Sequence, residues 1–230
     1  MRQQIRKKSI GPLLAMAVFC TAIPVQASSN TNIGLPDTET VTLYPSGDEN
    51  SPNISYKKND NKYLAYVSGK VTLLKSSSSS KAKLAKSELK NGGKTETILY
   101  VKPKKVGTST LSLKVKSKTY KIKVNVKKYQ NPLASVKVGN KTLNMSKLKK
   151  TSNYKLSYAQ FAGKKQKISV KMAPGWKLEE MYYMRKTCQK TETVKNGSSV
   201  LIKGGAGFEF HIVVTNKKTG QLETVDLFFV

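Results

Sequence analysis

The sequence predicts an all-β protein of two tandem β-sandwiches, and three observations support this prediction. From Val41 onward, short stretches alternate apolar and polar residues and are separated by clusters of Gly, Asn, Pro and Ser. Alternation with a period of two is typical of strands that are buried on one face. The single helical candidate, residues 81–89, has room for one or two turns at most. A break at residues 127–132 leaves two halves of sandwich size.

The first 27 residues have the order of a secretory signal. Residues 1–8 carry four basic and no acidic side chains, residues 10–25 form an apolar run, and Val25-Gln26-Ala27 resembles a cleavage site. An uncleaved membrane anchor is the alternative. However, the run has 16 residues and contains two prolines, whereas a span needs about 20 apolar residues. We therefore expect cleavage after Ala27 and no membrane span in the mature chain.

The mature chain is expected to be a bacterial protein outside the cytoplasm, either secreted or associated with the cell surface. It keeps one cysteine, Cys188, so no intramolecular disulfide can form, and export without disulfides is more typical of bacteria than of the endoplasmic reticulum. The single histidine, His211, excludes a His-rich metal site, and we expect no cofactor and no metal. Residues 28–39 lack periodicity and are expected to form a flexible lead-in.

The clearest strand pair of the first half lies within Thr110–Val126. The apolar residues of each strand fall on alternate positions, so each strand has one apolar face. A turn centred on Ser117-Lys118 is expected to pair Val115 with Tyr120, Leu113 with Ile122 and Leu111 with Val124. This register places every apolar pair on the same side of the hairpin.

The second half follows the same pattern. Ile168, Val170 and Met172 alternate with polar residues, and two apolar strands flank a loop at residues 216–221 near the end of the chain. The predicted pairs of that last hairpin are Phe208 with Phe229, Phe210 with Leu227 and Ile212 with Val225. The same register puts His211 opposite Asp226 on the outward face. A cross-strand pair of this kind contributes about 0.2–1 kcal/mol and needs no catalytic role.

Two domains are predicted, at residues 40–128 and 132–230. In the first, Lys105–Leu113 contains a V-G-T-x-x-L segment, and Lys118–Val126 contains K-T-Y followed by V-N-V. These motifs resemble the last two strands of bacterial immunoglobulin-like domains of the group 2 type. The second domain resembles the same superfamily more loosely, in Gly175-Trp176-Lys177 and Lys195-Asn196-Gly197. The resemblance implies an immunoglobulin-like β-sandwich for each half.

Hydrolytic motifs occur, but the abundance of lysine accounts for them. Ser87–Lys90 and Ser146–Lys149 match S-x-x-K, and Lys218-Thr219-Gly220 matches K-T-G, as in penicillin-binding enzymes. The sequence has 37 lysines after residue 27, so such spacings arise by chance. The long helices of that enzyme fold are not predicted, and no histidine lies near Cys188 in the sequence. We expect a non-enzymatic binding or structural module; a hydrolytic enzyme is the alternative.

The positive charge is concentrated in the middle of the chain. Residues 28–60 carry a net charge of −3, residues 61–180 carry +25 and residues 181–230 carry +3. The predicted hairpin register puts Lys114 directly opposite Lys121, with Lys116 and Lys123 on the same outward face. Like charges that face each other across strands are destabilising. Three causes compete: protection of edge strands, a genome composition that favours lysine codons, and binding of a polyanion.

The ratio of lysine to arginine indicates which polyanion to expect. After residue 27 the chain has 37 lysines and one arginine, Arg185. Bidentate recognition of bases or of particular phosphates favours arginine, whereas lysine suits diffuse, salt-sensitive attraction. We therefore expect an anionic cell-wall or extracellular polymer as partner and no nucleic acid. The candidate contacts are Lys114, Lys116, Lys121 and Lys123.

A carbohydrate-binding accessory protein is the alternative function. Trp176 follows the turn sequence Ala173-Pro174-Gly175, and with Tyr182 and Tyr183 it offers rings on which a sugar could stack. The competing interpretation places Trp176 and alternate residues of the Met-Tyr-Tyr-Met run in the sandwich core, where large aromatic side chains are common. Removing the indole distinguishes the two, because a core tryptophan is needed for stability.

Overall fold

A computed structural model describes residues 33–45, 62–185 and 191–230. The predicted signal peptide at residues 1–27 and Cys188 lie outside the described residues. The described part of the predicted lead-in is packed: Leu35 is buried in the first core, and the first strand begins at Thr38. No helix in the described ranges is both long and apolar enough to cross a membrane.

The first sandwich consists of two sheets. Their strands are β1 (Thr38–Leu43), β2 (Lys62–Ser68), β3 (Val71–Ser76), β4 (Ala82–Asn91), β5 (Lys94–Pro103), β6 (Gly107–Val115) and β7 (Lys118–Lys128). One sheet has the order β1-β7-β6-β3 and the other β2-β5-β4. β1 runs parallel to β7, whereas the other pairs are antiparallel. This grouping of strands is that of an immunoglobulin-like sandwich whose first strand pairs with its last.

Alternate residues of the two sheets form the first core. Leu99 of β5 faces Leu111, Leu113 and Ile122 of the opposite sheet, and all four are fully buried. Full burial of such a side chain contributes about 1.5–3 kcal/mol relative to exposure. Period-two alternation thus decides which side chains hold the sheets together and which ones face outward.

The second sandwich has a five-stranded and a four-stranded sheet. Its strands are β8 (Leu133–Val138), β9 (Lys141–Thr142), β10 (Asn153–Leu156), β11 (Lys165–Met172), β12 (Trp176–Met184), β13 (Thr191–Thr193), β14 (Ser199–Leu201), β15 (Phe208–Asn216) and β16 (Leu222–Phe229), with a 3-10 helix at Met145–Lys149 and one helical turn, α1, at Tyr158–Phe161. The sheet orders are β10-β16-β15-β12-β13 and β14-β11-β8-β9. Fully buried phenylalanines dominate its core, and the rings of Phe208 and Phe229 meet edge to face at 5.4 Å. The chain is therefore an all-β protein of sandwich architecture.

The register predicted for the last hairpin is confirmed. β15 and β16 pair Phe208 with Phe229, Phe210 with Leu227 and Ile212 with Val225. His211 lies opposite Asp226, as predicted, but their side chains do not face solvent: each residue is 7% exposed. Alternation assigns a residue to one face of a sheet, but it does not reveal what packs on that face.

The register predicted for the first hairpin is wrong by two residues. β6 and β7 pair Val115 with Lys118, Leu113 with Tyr120 and Leu111 with Ile122. The connection is a two-residue turn whose first residue, Lys116, has φ 53°. Both registers put the same residues on the apolar face, so the hydrophobic pattern cannot distinguish them. The geometry of the turn selects the observed register.

The helix predicted at residues 81–89 is also wrong, because this segment forms β4. Its partner is β5, and the ladder runs from Ala82 opposite Pro103 to Asn91 opposite Lys94. Glycines at positions 92 and 93 adopt φ values of 56° and 78°, which few other residues tolerate, and they close the hairpin. Pairing with an apolar strand overrides the local helical tendency of the lysine- and leucine-rich segment.

A buried polar cluster joins the two sandwiches. The carboxylate of Glu223 on β16 accepts hydrogen bonds from the hydroxyls of Thr42 and Tyr44, the latter at 2.5 Å. Gln221 Nε2 donates to Thr42 Oγ1 at 2.8 Å and to Glu223 at 2.9 Å. None of these four residues, which we call the junction cluster, is more than 7% exposed. Burial, followed by the charge and hydrogen bond of Glu223, raises the pKa of Tyr44 well above its ordinary value.

Substituting Glu223→Ala is expected to lower the free energy of unfolding by about 2–3 kcal/mol, because buried hydroxyls lose a charged acceptor. The pKa of Tyr44 should fall at the same time, because the adjacent negative charge is gone. Urea denaturation and an ultraviolet titration of the tyrosines measure the two effects. Thr224→Ala, one residue further along β16, is the control. If the free energy of unfolding of Glu223→Ala lies within about 0.5 kcal/mol of the wild-type value, the junction cluster has no stabilising role.

Candidate functional site

Three of the four candidate lysines lie on the outer face of the sheet β1-β7-β6-β3. Lys114, Lys121 and Lys123 are all exposed there, but Lys114 is opposite Thr119 and not opposite Lys121 as predicted. Ser112 faces Lys121, and Thr110 faces Lys123. The fourth candidate, Lys116, lies in the hairpin turn. Lysines and hydroxyl side chains thus alternate across these strands, and direct opposition of like charges is avoided.

The row through Ser112 continues to the edge of this sheet. Lys75 on β3 is paired with Ser112, which in turn is paired with Lys121 on β7. A β-bulge between Leu73 and Lys75 shifts the register of β3 at this point. Bulges change the direction of the side chains that follow them. Lys75 therefore extends the basic face to the edge strand.

Two lysines face each other directly on the other sheet of the first sandwich. Lys83 on β4 is opposite Lys102 on β5, and both are exposed on the outer face. The pKa of the neighbouring Lys104 is lowered, first by partial desolvation and then by repulsion from Lys83 and Lys102. Among the described residues, neither Lys83 nor Lys104 has an acidic partner. We call these three residues the lysine cluster; it concentrates positive charge on the outer face of this sheet.

Sequence reasoning missed the lysine cluster because it assigned residues 81–89 to a helix. A weak signal was present. Lys83 lies between the apolar residues Ala82 and Leu84, and Lys102 lies between Val101 and Pro103, so both segments alternate. If the segments around Lys83 and Lys102 are taken as adjacent strands, both lysines fall on one face of the sheet. Their direct opposition depends on the register of the two strands, which alternation does not determine.

A cleft of about 200 Å³ lies between the edge strands β3 and β4. We call it the edge cleft; it is lined by Leu73, Lys75, Ser76, Ser79, Lys83 and Leu84. It thus places one lysine of each sheet around the same space. Residues 77–81, which we call the serine loop, connect β3 to β4 beside the cleft. Ser76 Oγ holds this loop in place, because it donates to Ala82 O at 2.9 Å and lies 2.7 Å from Ser109 Oγ.

The aromatic residues proposed for sugar stacking do not form an exposed platform. Trp176 and Tyr183 are each 6% exposed and belong to the second core. The ring of Tyr183 stacks on Phe208 with centroids 5.2 Å apart. Tyr182 is half-buried and stacks on His211 at 4.6 Å. A sugar needs an accessible ring face, and burial of Trp176 and Tyr183 leaves only the half-buried Tyr182 with partial access to solvent.

His211 lies between two buried carboxylates. Its Nδ1 is 2.8 Å from Asp226 Oδ1, and its Nε2 is 3.3 Å from Glu209 Oε2. Burial lowers the pKa of His211, but the hydrogen bond to Asp226 and the charges of Asp226 and Glu209 outweigh it and raise the pKa from 6.5 to about 9. The imidazole is therefore protonated at neutral pH and serves as the counter-ion of these carboxylates. In the described ranges, no group of three or more His, Cys, Asp or Glu could hold a metal ion.

The S-x-x-K motifs do not gain a catalytic geometry. Ser87 and Lys90 both lie on β4, and residues three apart on a strand point to opposite faces. Ser146 and Lys149 lie on the short 3-10 helix, where the hydroxyl of Ser146 bonds to the side chain of Asn144 at 2.7 Å. The K-T-G residues form the β15–β16 loop, where the side chain of Asn216 caps the backbone N–H of Lys218 and Thr219.

The chain matches no known protein-family description and no curated protein. Among solved structures, it is similar to domains 4–9 of the surface layer protein SbsC, at 12% identity and a TM-score of 0.29, covering 86% of this chain and 30% of that one. The tandem Ig repeats of Dlar give 11% identity and a TM-score of 0.33, with coverage of 85% and 95%. The adhesin InvE of Yersinia pseudotuberculosis gives 13% identity and a TM-score of 0.21, with coverage of 83% and 56%. The sandwich fold itself follows from the strand pairing described above.

Proposed function

We propose that this protein is a non-enzymatic binding module, exported from a bacterium, that attracts anionic polymers of the cell wall or the extracellular space. The observation that carries the proposal is the lysine cluster, in which Lys83 lies directly opposite Lys102 with Lys104 beside them. Like charges that face each other across strands are destabilising unless a counter-charge lies nearby, and among the described residues neither Lys83 nor Lys104 has an acidic partner. A bound polyanion supplies that counter-charge and so converts an unfavourable arrangement into a binding surface.

Lys83 lies on the edge strand β4, but protection of sheet edges does not account for the lysines on internal strands. β5 is the central strand of its sheet, and β6 and β7 are both internal strands of theirs, so Lys102, Lys114 and Lys121 guard no edge. Lys86 shows what an edge lysine does here: its ammonium donates to Val71 O at 2.6 Å and pairs with Glu88 at 2.6 Å. Edge protection therefore does not explain why lysines lie on internal strands, and this supports a role in binding for them.

Lysine chemistry favours a flexible polymer over a precisely shaped ligand. An ammonium group is a compact point charge, whereas arginine offers a planar fork for bidentate recognition. The near-absence of arginine after residue 27 supports contacts that follow charge density and not base sequence. Binding of this kind weakens steeply with salt, because counter-ions are released on association.

Retention of the protein on purified bacterial cell walls tests the proposal. We expect retention at about 50 mM salt and release as salt rises, with the triple variant Lys83→Gln, Lys102→Gln, Lys104→Gln losing about tenfold or more in affinity. The control is Lys137→Gln, Lys167→Gln, Lys171→Gln, which removes three exposed charges from strands where each lysine faces a serine. Absent or salt-insensitive retention of the wild type would refute the proposed function.

A further inference from the structure

The edge cleft differs from the open basic faces because it is concave and its lining includes apolar side chains. Leu73 and Leu84 line it together with Lys75 and Lys83. Charged groups beside apolar surface interact more strongly than they do in bulk water, because the local dielectric is lower. An anion entering this cleft therefore gains more from each ammonium group than it would on the open face.

The serine loop adds a hydroxyl donor to the cleft. Ser79 lines it and makes no hydrogen bond within the part of the chain that the structure describes. The loop around it is fixed: Lys81 N donates to Ser78 O at 3.0 Å, and Ser78 N donates to Ser109 Oγ at 3.2 Å. A donor on a rigid loop binds at a smaller entropic cost than one that must first be ordered.

We propose that the edge cleft is a subsite for one phosphate group of an anionic polymer, held by Lys75, Lys83 and Ser79. This inference rests on the proposed function and names the chemistry of its ligand. The three residues come from two strands and a loop, and all three line the same cleft. A tetrahedral phosphate offers its oxygens in several directions, whereas a planar carboxylate is best matched by the fork of an arginine.

The subsite also connects the two basic faces. Lys75 ends the row that runs through Ser112 to Lys121, and Lys83 begins the pair with Lys102. Neighbouring strands lie about 4.8 Å apart, so Lys75 is about 10 Å from Lys121 along the first sheet. A polymer that follows the charge can thus cross from one sheet to the other over the cleft, with one phosphate bound between Lys75 and Lys83.

Matched variants of the full-length protein test the subsite with poly(glycerol phosphate) as the probe and polygalacturonate as the carboxylate comparison. Lys75→Gln is paired with Lys137→Gln, since both lysines are exposed and opposite a serine. Ser79→Ala is paired with Ser80→Ala, its neighbour, which does not line the cleft. We expect Lys75→Gln to weaken phosphate-polymer binding about tenfold and Ser79→Ala about threefold, with each control changing affinity less than about twofold.

The outcomes separate the subsite from the proposed function. Equal losses for Lys75→Gln and Lys137→Gln, with Ser79→Ala unchanged, would overturn the subsite and leave polyanion binding standing. Binding of polygalacturonate as tight as that of poly(glycerol phosphate), with the same dependence on Lys75 and Ser79, would overturn the choice of phosphate. Failure of the wild type to bind either polymer at low salt would overturn the proposed function together with the subsite.

Discussion

Replacing His211 by glutamine is expected to lower the free energy of unfolding by about 3–5 kcal/mol at pH 7, because two buried carboxylates lose their counter-ion. Glu209 is 3% exposed and Asp226 7% exposed, so solvent cannot replace the imidazolium charge. Urea denaturation followed by circular dichroism measures the loss. The double variant His211→Gln, Asp226→Asn is the control. It removes one of the two buried carboxylate charges that lose their counter-ion, so it should recover part of the lost stability.

The same site predicts how stability depends on pH. The pKa of His211 is raised in the folded protein, from 6.5 to about 9. A raised pKa means that the folded state binds the proton more tightly than the unfolded state does. The resulting stabilisation is fully present below pH 6.5 and is lost as pH rises through about 9, with a total of about 3 kcal/mol.

Stability measured above pH 7 separates the contribution of His211 from that of Glu39. Burial raises the pKa of Glu39 from 4.5 to about 7, so that carboxyl changes stability mainly below neutrality. We therefore expect wild-type stability to fall between pH 7 and about 9, and the fall to be absent from His211→Gln. A decline of the same size in both proteins would show that another group is responsible.

The sequence predicts a strand pairing correctly where the hydrophobic pattern is compatible with only one register. The last hairpin was predicted correctly because apolar residues alternate on both strands and the loop at 216–221 limits the possible registers. For the first hairpin, two registers that differ by two residues bury the same side chains, and only the turn at Lys116 separates them. The lysine cluster was missed for a related reason, since it depends on β4 pairing with β5.

Burial on the outward faces was beyond sequence reasoning. Alternation predicts that His211 lies opposite Asp226, but it does not predict that both residues are buried. It also gives no sign that the carboxylate of Glu209 lies next to the imidazole. Likewise, the junction cluster brings Thr42 and Tyr44 to Glu223, about 180 residues away along the chain. Such contacts follow from how whole sheets and sandwiches pack, and no local pattern encodes them.

Replacing Trp176 by alanine is expected to destabilise the protein by about 3–5 kcal/mol, because it removes a large side chain from a packed core. Trp176 opens β12 directly after Gly175, which turns the chain with φ 81°, and its indole is 6% exposed in the second core. A cavity of this size cannot be refilled without shifting the surrounding sheets. Leu222→Ala is the control, since Leu222 is a large apolar residue that is 37% exposed and should cost less than about 1 kcal/mol.

Two measurements decide between a core tryptophan and a sugar-binding one. Trp176 is the sole tryptophan of the chain, so quenching of its fluorescence by iodide in the wild type reports directly on its exposure. We expect weak quenching, and a shift of the urea midpoint in Trp176→Ala with polymer binding retained wherever the variant is folded. If Trp176→Ala instead kept wild-type stability and lost glycan binding, the indole would be a ligand contact and the alternative function would replace the one proposed. The same residue therefore tests packing and function together, because burial in the core and stacking on a sugar cannot both use the same face of one ring.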